Sequence, residues 1–262
     1  MPYRELPPPR PHAPHVACLW VRESEPRARV HRVVPDGCAD VVWVQGERLL
    51  VAGPATGPAK SEIPAGAAAV GVRFRVGAAG GALGVPARDL LDRSVGLDEL
   101  WGAAAAELAE RLAGAPDARA ALAMLAAAVA RRLPERDGPD PLVRAAAARA
   151  ASSDMPVDAL GPAVGLGERQ LRRRFDDAVG YGPKTLQRIL RFQRFLAIAQ
   201  RENDLAAVAF AAGYADQAHL TRECRRLAGL PPAALLRSGA GPAGERSDLF
   251  KTPPAPPATM AA

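Results

Sequence analysis

The chain has 262 residues, enough for two domains at roughly 100–200 residues each. Lys and Arg number 34 against 28 Asp and Glu, a net charge of 34 − 28 = +6, and 48% of the residues are hydrophobic. That composition excludes a wholly disordered chain, and the lack of a long uncharged apolar run excludes a membrane-spanning helix. Alanine alone supplies 57 residues, so about a quarter of the chain is left to build cores. Cys18, Cys38 and Cys224 are the only cysteines and form no close pair, against a disulfide framework or a C-x-x-C zinc site. No secretory leader is expected from the opening MPYRELPPPRP, which has no apolar run.

In chain order, residues 1–14 are proline-rich and expected to be irregular. From 16 to 76 the segments VACLWV, ARVHRVV, ADVVWV, RLLVAG and AAVGVRFRV are valine-rich and bounded by Gly, Pro or Asp, which predicts a small antiparallel sheet or barrel. His12, His15, Cys18 and His31 fall within this stretch, and its proline-rich entry followed by a strand argues against a metal site. After Gly77, VPARDLLDR, LDELWGAAAAELAERLAG and DARAALAMLAAAVARRL have helical spacing. Residues 1–135 therefore read as α+β, strands first and helices after. RRLPERDGPDP at 131–141 is rich in charges and breakers, which puts a linker at 136–141.

Residues 142–238 read as wholly helical and contain an internal repeat. GLGERQLRRRFDDAVGYGPKTL (165–186) aligns with GYADQAHLTRECRRLAGLPPAALL (213–236), pairing Gly165 with Gly213, Leu171 with Leu220, Phe175 with Cys224, Gly180 with Gly229 and Pro183 with Pro232. Each copy is a helix-turn-helix in which Gly165 or Gly213 makes the turn with positive φ. Asp158 and Asp204 are placed to favour helix starts, and Pro162 is expected near a first turn or at a kink. KTLQRILRFQRFLAIAQ joins the units as one helix of about 25 Å. The tail after Arg237, ending KTPPAPPATMAA, is expected to be disordered.

On these motifs, residues 142–238 resemble the DNA-binding domain of the AraC/XylS family of bacterial transcription regulators. The match lies in L-x-x-x-x-G-L-x-x-R-x-L-x-R-x-F in the first unit and A-x-x-x-G-Y-x-D-x-x-H-L-x-R in the second, closed by Gly229–Pro232. Four positions depart from the pattern: Pro162, Gly167 for a serine cap, Cys224 for a phenylalanine, and Asp176–Asp177 for two lysines, an acidic pair expected to repel phosphate. VVPDGCADVVW (33–43), GPAT (53–56) and residues 71–102 make the first half similar to an N-terminal domain found in one branch of these regulators, for which no ligand is established.

The resemblance implies double-stranded DNA as partner, with the second helix of each unit in the major groove. Arg169, Arg172 and Arg173 sit where the family contacts bases or nearby phosphates, and arginine matches guanine O6 and N7. In the second unit Gln217 suits adenine, Ala218 a thymine methyl, and Thr221 or Arg222 phosphate. Heads about 34 Å apart would read roughly 20 base pairs per protomer. From Arg169 to Arg201 the charge is 9 − 2 = +7, so the basic excess lies on the first reading helix and the connecting helix. A small-molecule effector, RNA polymerase and a second copy of the chain complete the expected partners, with no membrane, no cofactor, no catalytic residues and a cytoplasmic, nucleoid-associated location. Trp43, Arg73 and Arg75 are the candidate effector residues, the arginines for an anion. Other readings are a degenerate interaction module and a DNA alkyl-damage repair protein using Cys38; the latter chemistry needs a metal-activated thiolate, typically among four cysteines.

Overall fold

The computed structural model describes residues 3–23, 29–133, 139–151, 155–202 and 204–237. The first half contains eight strands: β1 (Arg4–Leu6), β2 (Val16–Glu23), β3 (Arg29–Val33), β4 (Asp40–Val44), β5 (Arg48–Ala52), β6 (Ala59–Ile63), β7 (Ala68–Phe74) and β8 (Ser94–Gly96). Six form an antiparallel sheet in the order β1-β2-β7-β4-β5-β8, and β3 pairs with β6 as a separate two-stranded ribbon. β7 is central and almost wholly buried, because helices cover one face of it and a cavity lies on the other. Gly71, on β7, pairs with Trp20 on β2, and a Cβ at Gly71 would overlap the Trp20 ring. The missing side chain lets the indole lie flat on the strand.

Four helices belong to the same half: α1 (Ala79–Leu83) between β7 and β8, then α2 (Leu97–Trp101), α3 (Ala103–Ala113) and α4 (Ala118–Ala130). They bury Leu83, Leu97, Leu112 and Leu125 with Trp43, Val51 and Val72 of the sheet in one core. The alanine-rich helices thus pack within their own domain, and Asp117 caps α4 by accepting the Ala120 N–H at 2.7 Å.

Three expectations need correcting here. Residues 1–14 are not irregular throughout, since β1 pairs with β2 and a 3-10 turn spans Arg10–His12. The helical pattern at 97–114 is two helices, because Gly102 takes φ +57 and ψ −135, a backbone state open to glycine. VPARDLLDR forms only a 3-10 turn at Ala87–Leu90.

The second half is all helical: α5 (Pro141–Ala151), α6 (Val157–Leu160), α7 (Glu168–Val179), α8 (Pro183–Ile198), α9 (Leu205–Ala211), α10 (Gln217–Ala228) and α11 (Pro232–Arg237). Its core collects Leu171, Phe175, Leu186, Phe192, Phe195 and Leu220. Pro162 opens a 3-10 turn after α6 has ended at Leu160, so the proline breaks the first half-helix of the repeat. Of the linker at 136–141, residues 136–138 lie outside the described residues; Asp140 caps α5 through the Leu142 and Val143 N–H groups. The tail from 238 onward lies outside them too.

The architecture is therefore two-domain, an antiparallel α+β half and an all-α half. The halves share a surface. Val34, from the β3–β4 connection, belongs to the core of the helical half.

Candidate nucleic-acid interface

The two repeats superpose their chemistry as the sequence predicts. α7 and α10 are each 12 residues long, follow a positive-φ glycine turn and end on a left-handed glycine. Gly165 has φ +72 and Gly213 +86; Gly180 has +94 and Gly229 +70. Leu171 and Phe175 on α7, and Leu220 and Cys224 on α10, face the core, so the opposite faces point outward. α10 starts where Asp216 accepts the His219 N–H at 2.6 Å. α7 has Gly167 at its cap and keeps only the return half of a capping box, with Gln170 Oε1 accepting the Gly167 N–H at 3.2 Å.

On the outward face of α7, Arg169, Arg172 and Arg173 are exposed. Arg172 makes a loose i,i+4 pair with Asp176 at 3.8 Å. Arg169, Arg173 and Arg222 make no ion pair among the described residues. On α10, Gln217, Ala218 and Arg222 are exposed. Thr221 is half-buried and donates its hydroxyl to the Gln217 carbonyl at 2.8 Å. That leaves Arg222 as the member of the pair with outward donors for phosphate. His219 packs edge-on to Tyr214, ring centroids 5.2 Å apart.

The connecting helix α8 uses its cations differently from the expectation. Arg188 forms a two-pronged pair with Glu223 of α10 (Nε–Oε2 2.9 Å, Nη2–Oε1 2.6 Å), Arg191 lies 5.8 Å over the Tyr214 ring, and Arg194 donates to the Ala151 carbonyl at 2.7 Å. Burial pushes the Glu223 carboxyl up, but Arg188 outweighs it and holds the group below its ordinary 4.5. Arg188 and Arg191 tie α8 to the second unit and Arg194 ties it to α5, so these three cations are turned to internal partners, while Lys184 and Arg201 stay exposed beside the reading helices. The acidic pair is also reassigned. Asp177 pairs with Arg88 of the N-terminal half and Asp176 faces Arg172, so one acidic group serves the contact between the halves.

A model described as a helix-turn-helix domain matches residues 160–238. The C-terminal block is an AraC-type helix-turn-helix domain. That domain type supports a DNA-binding role in transcription regulation. Residues 4–96 match the model of a domain of unknown function (DUF6597). An apo ToxT variant structure from Vibrio cholerae strain SCE256 is similar at 9% identity and a TM-score of 0.44, over 84% of this chain and 97% of that one. No curated protein matches the chain by sequence.

A second candidate site is a cavity of about 1120 Å³ between the large sheet and the β3–β6 ribbon. Trp20, Val42, Leu50 and Ile63 give it apolar walls, and Arg73, Asp36 and Asp40 a polar end. Of the three effector candidates only Arg73 reaches it. Its guanidinium is already held by both Asp40 oxygens (3.0 and 3.1 Å), Glu5 (3.4 Å) and Asp36 (3.6 Å), which corrects the expectation of an open anion site. Arg75 instead holds the Ala13 carbonyl at 2.6 Å, and Trp43 lies in the helix-side core. Burial, and then Asp36, push the Cys38 thiol well above its ordinary value. Among the described residues no helix is long and apolar enough to cross a membrane, and no cluster of metal-ligating side chains occurs.

Arg32, Arg88, the Arg188–Glu223 pair and the capping role of Asp216 escape the sequence reading. Asp216 carries a readable cap signal ahead of a helix. The others act on partners 35 to 196 residues away, for which local pattern has no signal.

Proposed function

We propose that the chain is a sequence-specific transcription regulator that inserts α7 and α10 into successive major grooves and has no enzymatic role. The observation that carries this is the repeated arrangement itself: two equivalent helices, each with its apolar stripe inward and polar or basic first turns outward, tied by one helix. Arg169, Arg172 and Arg173 supply guanine and phosphate contacts from α7; Gln217, Ala218, Thr221 and Arg222 supply the second, with Thr221 as acceptor only. One protomer covers roughly 20 base pairs. The division into 1–135, a linker at 136–141 and 142–238 belongs to this reading and is supported by core clusters that divide between the halves, with Val34, and the partly buried Val76 and Leu91, crossing to the helical core.

A small molecule in the sheet–ribbon cavity modulates binding in this reading, and RNA polymerase and a second protomer are its macromolecular partners. The location is cytoplasmic, at the nucleoid. The Cys38 repair reading loses support on chemical grounds, because a methyl-accepting thiol needs a lowered pKa and Cys38 has a raised one.

Gel-shift titration against the DNA upstream of its own gene, at several salt concentrations, tests the proposal. Wild type binds with a steep salt slope, and the Arg169/Arg172/Arg173→Ala variant binds weakly with a slope reduced by up to about 2.7, at roughly 0.9 per phosphate lost. Equal binding by the two proteins, or no binding at low salt, overturns it.

A further inference from the structure

Both reading helices end on the N-terminal domain, and the two seats differ in kind. α7 ends at Gly180, packed so closely on the GPAT loop that an added Cβ would meet Pro54 at 2.9 Å and the Ala87 carbonyl at 3.1 Å. One turn earlier Asp177 pairs with Arg88. That seat is locked from behind. The Gly53 N–H bonds to Arg93, the Asp92 N–H bonds to Pro54, and the Thr56 N–H and hydroxyl each reach the Asp92 carboxylate at 2.6 Å. Asp92, at φ +55, is held in this left-handed conformation by those bonds.

α10 ends at Gly229, on the β3–β6 ribbon. Arg32 of β3 donates to the Ala228 carbonyl at 2.8 Å, placing a cation at the negative end of the helix. A Cβ at Gly229 would come within 3.2 Å of the same guanidinium and 3.5 Å of Pro58. The ribbon under it pairs only β3 with β6, and Arg32 and Pro58 are also part of the cavity wall. The first head therefore rests on a cross-braced loop and the second on a two-stranded ribbon, and residues of both seats line the cavity. Among the described residues, α10 has a further polar hold on α8, the Arg188–Glu223 pair near its middle. α10 also packs Leu220, Cys224, Leu227 and Ala228 into the helical core, so Arg32 adds a polar hold at its C-terminal end to the apolar contacts along it.

We propose that Arg32 is a positioning residue for DNA reading: by holding the C-terminal end of α10 it fixes the direction of the second head relative to the first, and so the half-site spacing the protein accepts. The proposal rests on α7 and α10 being the reading helices.

The test uses the full chain with Arg32→Gln and the conservative Arg32→Lys, and reads two quantities. The first is amide hydrogen exchange over 225–229 compared with 176–180, which needs no DNA. The second is binding to the upstream site and to copies with one base pair inserted or removed between the half-sites. In Arg32→Gln, exchange at 225–229 rises about 2- to 12-fold, the range one net hydrogen bond supplies, while 176–180 is unchanged. Its preference for the natural spacing falls by a similar factor, and Arg32→Lys recovers much of both. Unchanged exchange with unchanged spacing preference overturns the proposal, as does faster exchange with the spacing preference intact. If no DNA is bound at any spacing yet exchange at 225–229 rises, the DNA-reading premise fails while the hold of Arg32 on α10 stands.

Discussion

Gly165 and Gly180 make the same conformational demand and differ in what surrounds them, so a pair of alanine substitutions isolates the contact between the halves. Gly165 has φ +72 and a Cβ there would meet nothing within 4 Å; Gly180 has φ +94 and a Cβ there would press on Pro54 and the Ala87 carbonyl. Gly165→Ala is expected to cost about 1–2 kcal/mol, the left-handed penalty for a residue with a Cβ. Gly180→Ala carries that same penalty and adds overpacking against a backbone carbonyl, about 1–3 kcal/mol more. The sum is about 2–5 kcal/mol, provided the halves stay docked. Urea unfolding of both variants, followed by far-UV dichroism, gives the two losses, and their difference is the quantity of interest. The refuting result is equal losses: α7 would then not rest on the GPAT loop in solution, and the seat described for the first reading head would fail with it.

Other expectations concern single sites. Asp216→Ala removes the α10 cap and should lower stability by about 1 kcal/mol, with faster amide exchange at His219; an unchanged midpoint contradicts the cap. Glu223 is held below its ordinary 4.5, so its pair with Arg188 stabilises fully above that pH and is lost as pH falls through the lower folded value. Wild type should therefore lose more stability than Glu223→Gln between neutral pH and pH about 3, and parallel stability–pH curves would rule the pair out as a contributor. Gly71→Ala should cost about 1–3 kcal/mol by displacing the Trp20 ring, measured by thermal or urea unfolding; wild-type stability would mean the indole does not lie on β7.

How much was legible follows from where each signal is stored. The repeat was readable because glycine at a left-handed turn and proline at a helix start are local backbone requirements, and Gly165, Gly213, Gly180 and Gly229 all take positive φ. The valine-rich strands β2, β4 and β7 were readable because they bury one or both faces. β6, AKSEI, was not: as half of a ribbon it buries Ile63 and leaves its other residues exposed or half-buried, so it has no apolar period. The break at Gly102 was hidden by helix-forming neighbours on both sides. The functional assignment of charge was only half readable. Composition located the cations, but which of them face DNA depends on partners such as Glu223 for Arg188 and the Ala151 carbonyl for Arg194, and these are matters of tertiary contact. Asp177 makes the same point with the opposite sign, its partner Arg88 lying in the other half.

Val34 has a consequence for how such a chain can be cut or exchanged. It is a member of the helical half's core, and the neighbouring Pro35 carbonyl takes the amide of buried Gln193. A fragment beginning after the linker would therefore expose the apolar surface that Val34 covers and exchange the Gln193 amide's protein acceptor for water. The halves are not independent parts to be recombined at the linker. A chimera between relatives keeps its fit only if the short β3–β4 connection is inherited together with the helix it touches, so the natural unit of exchange includes residues more than 150 positions apart in the chain.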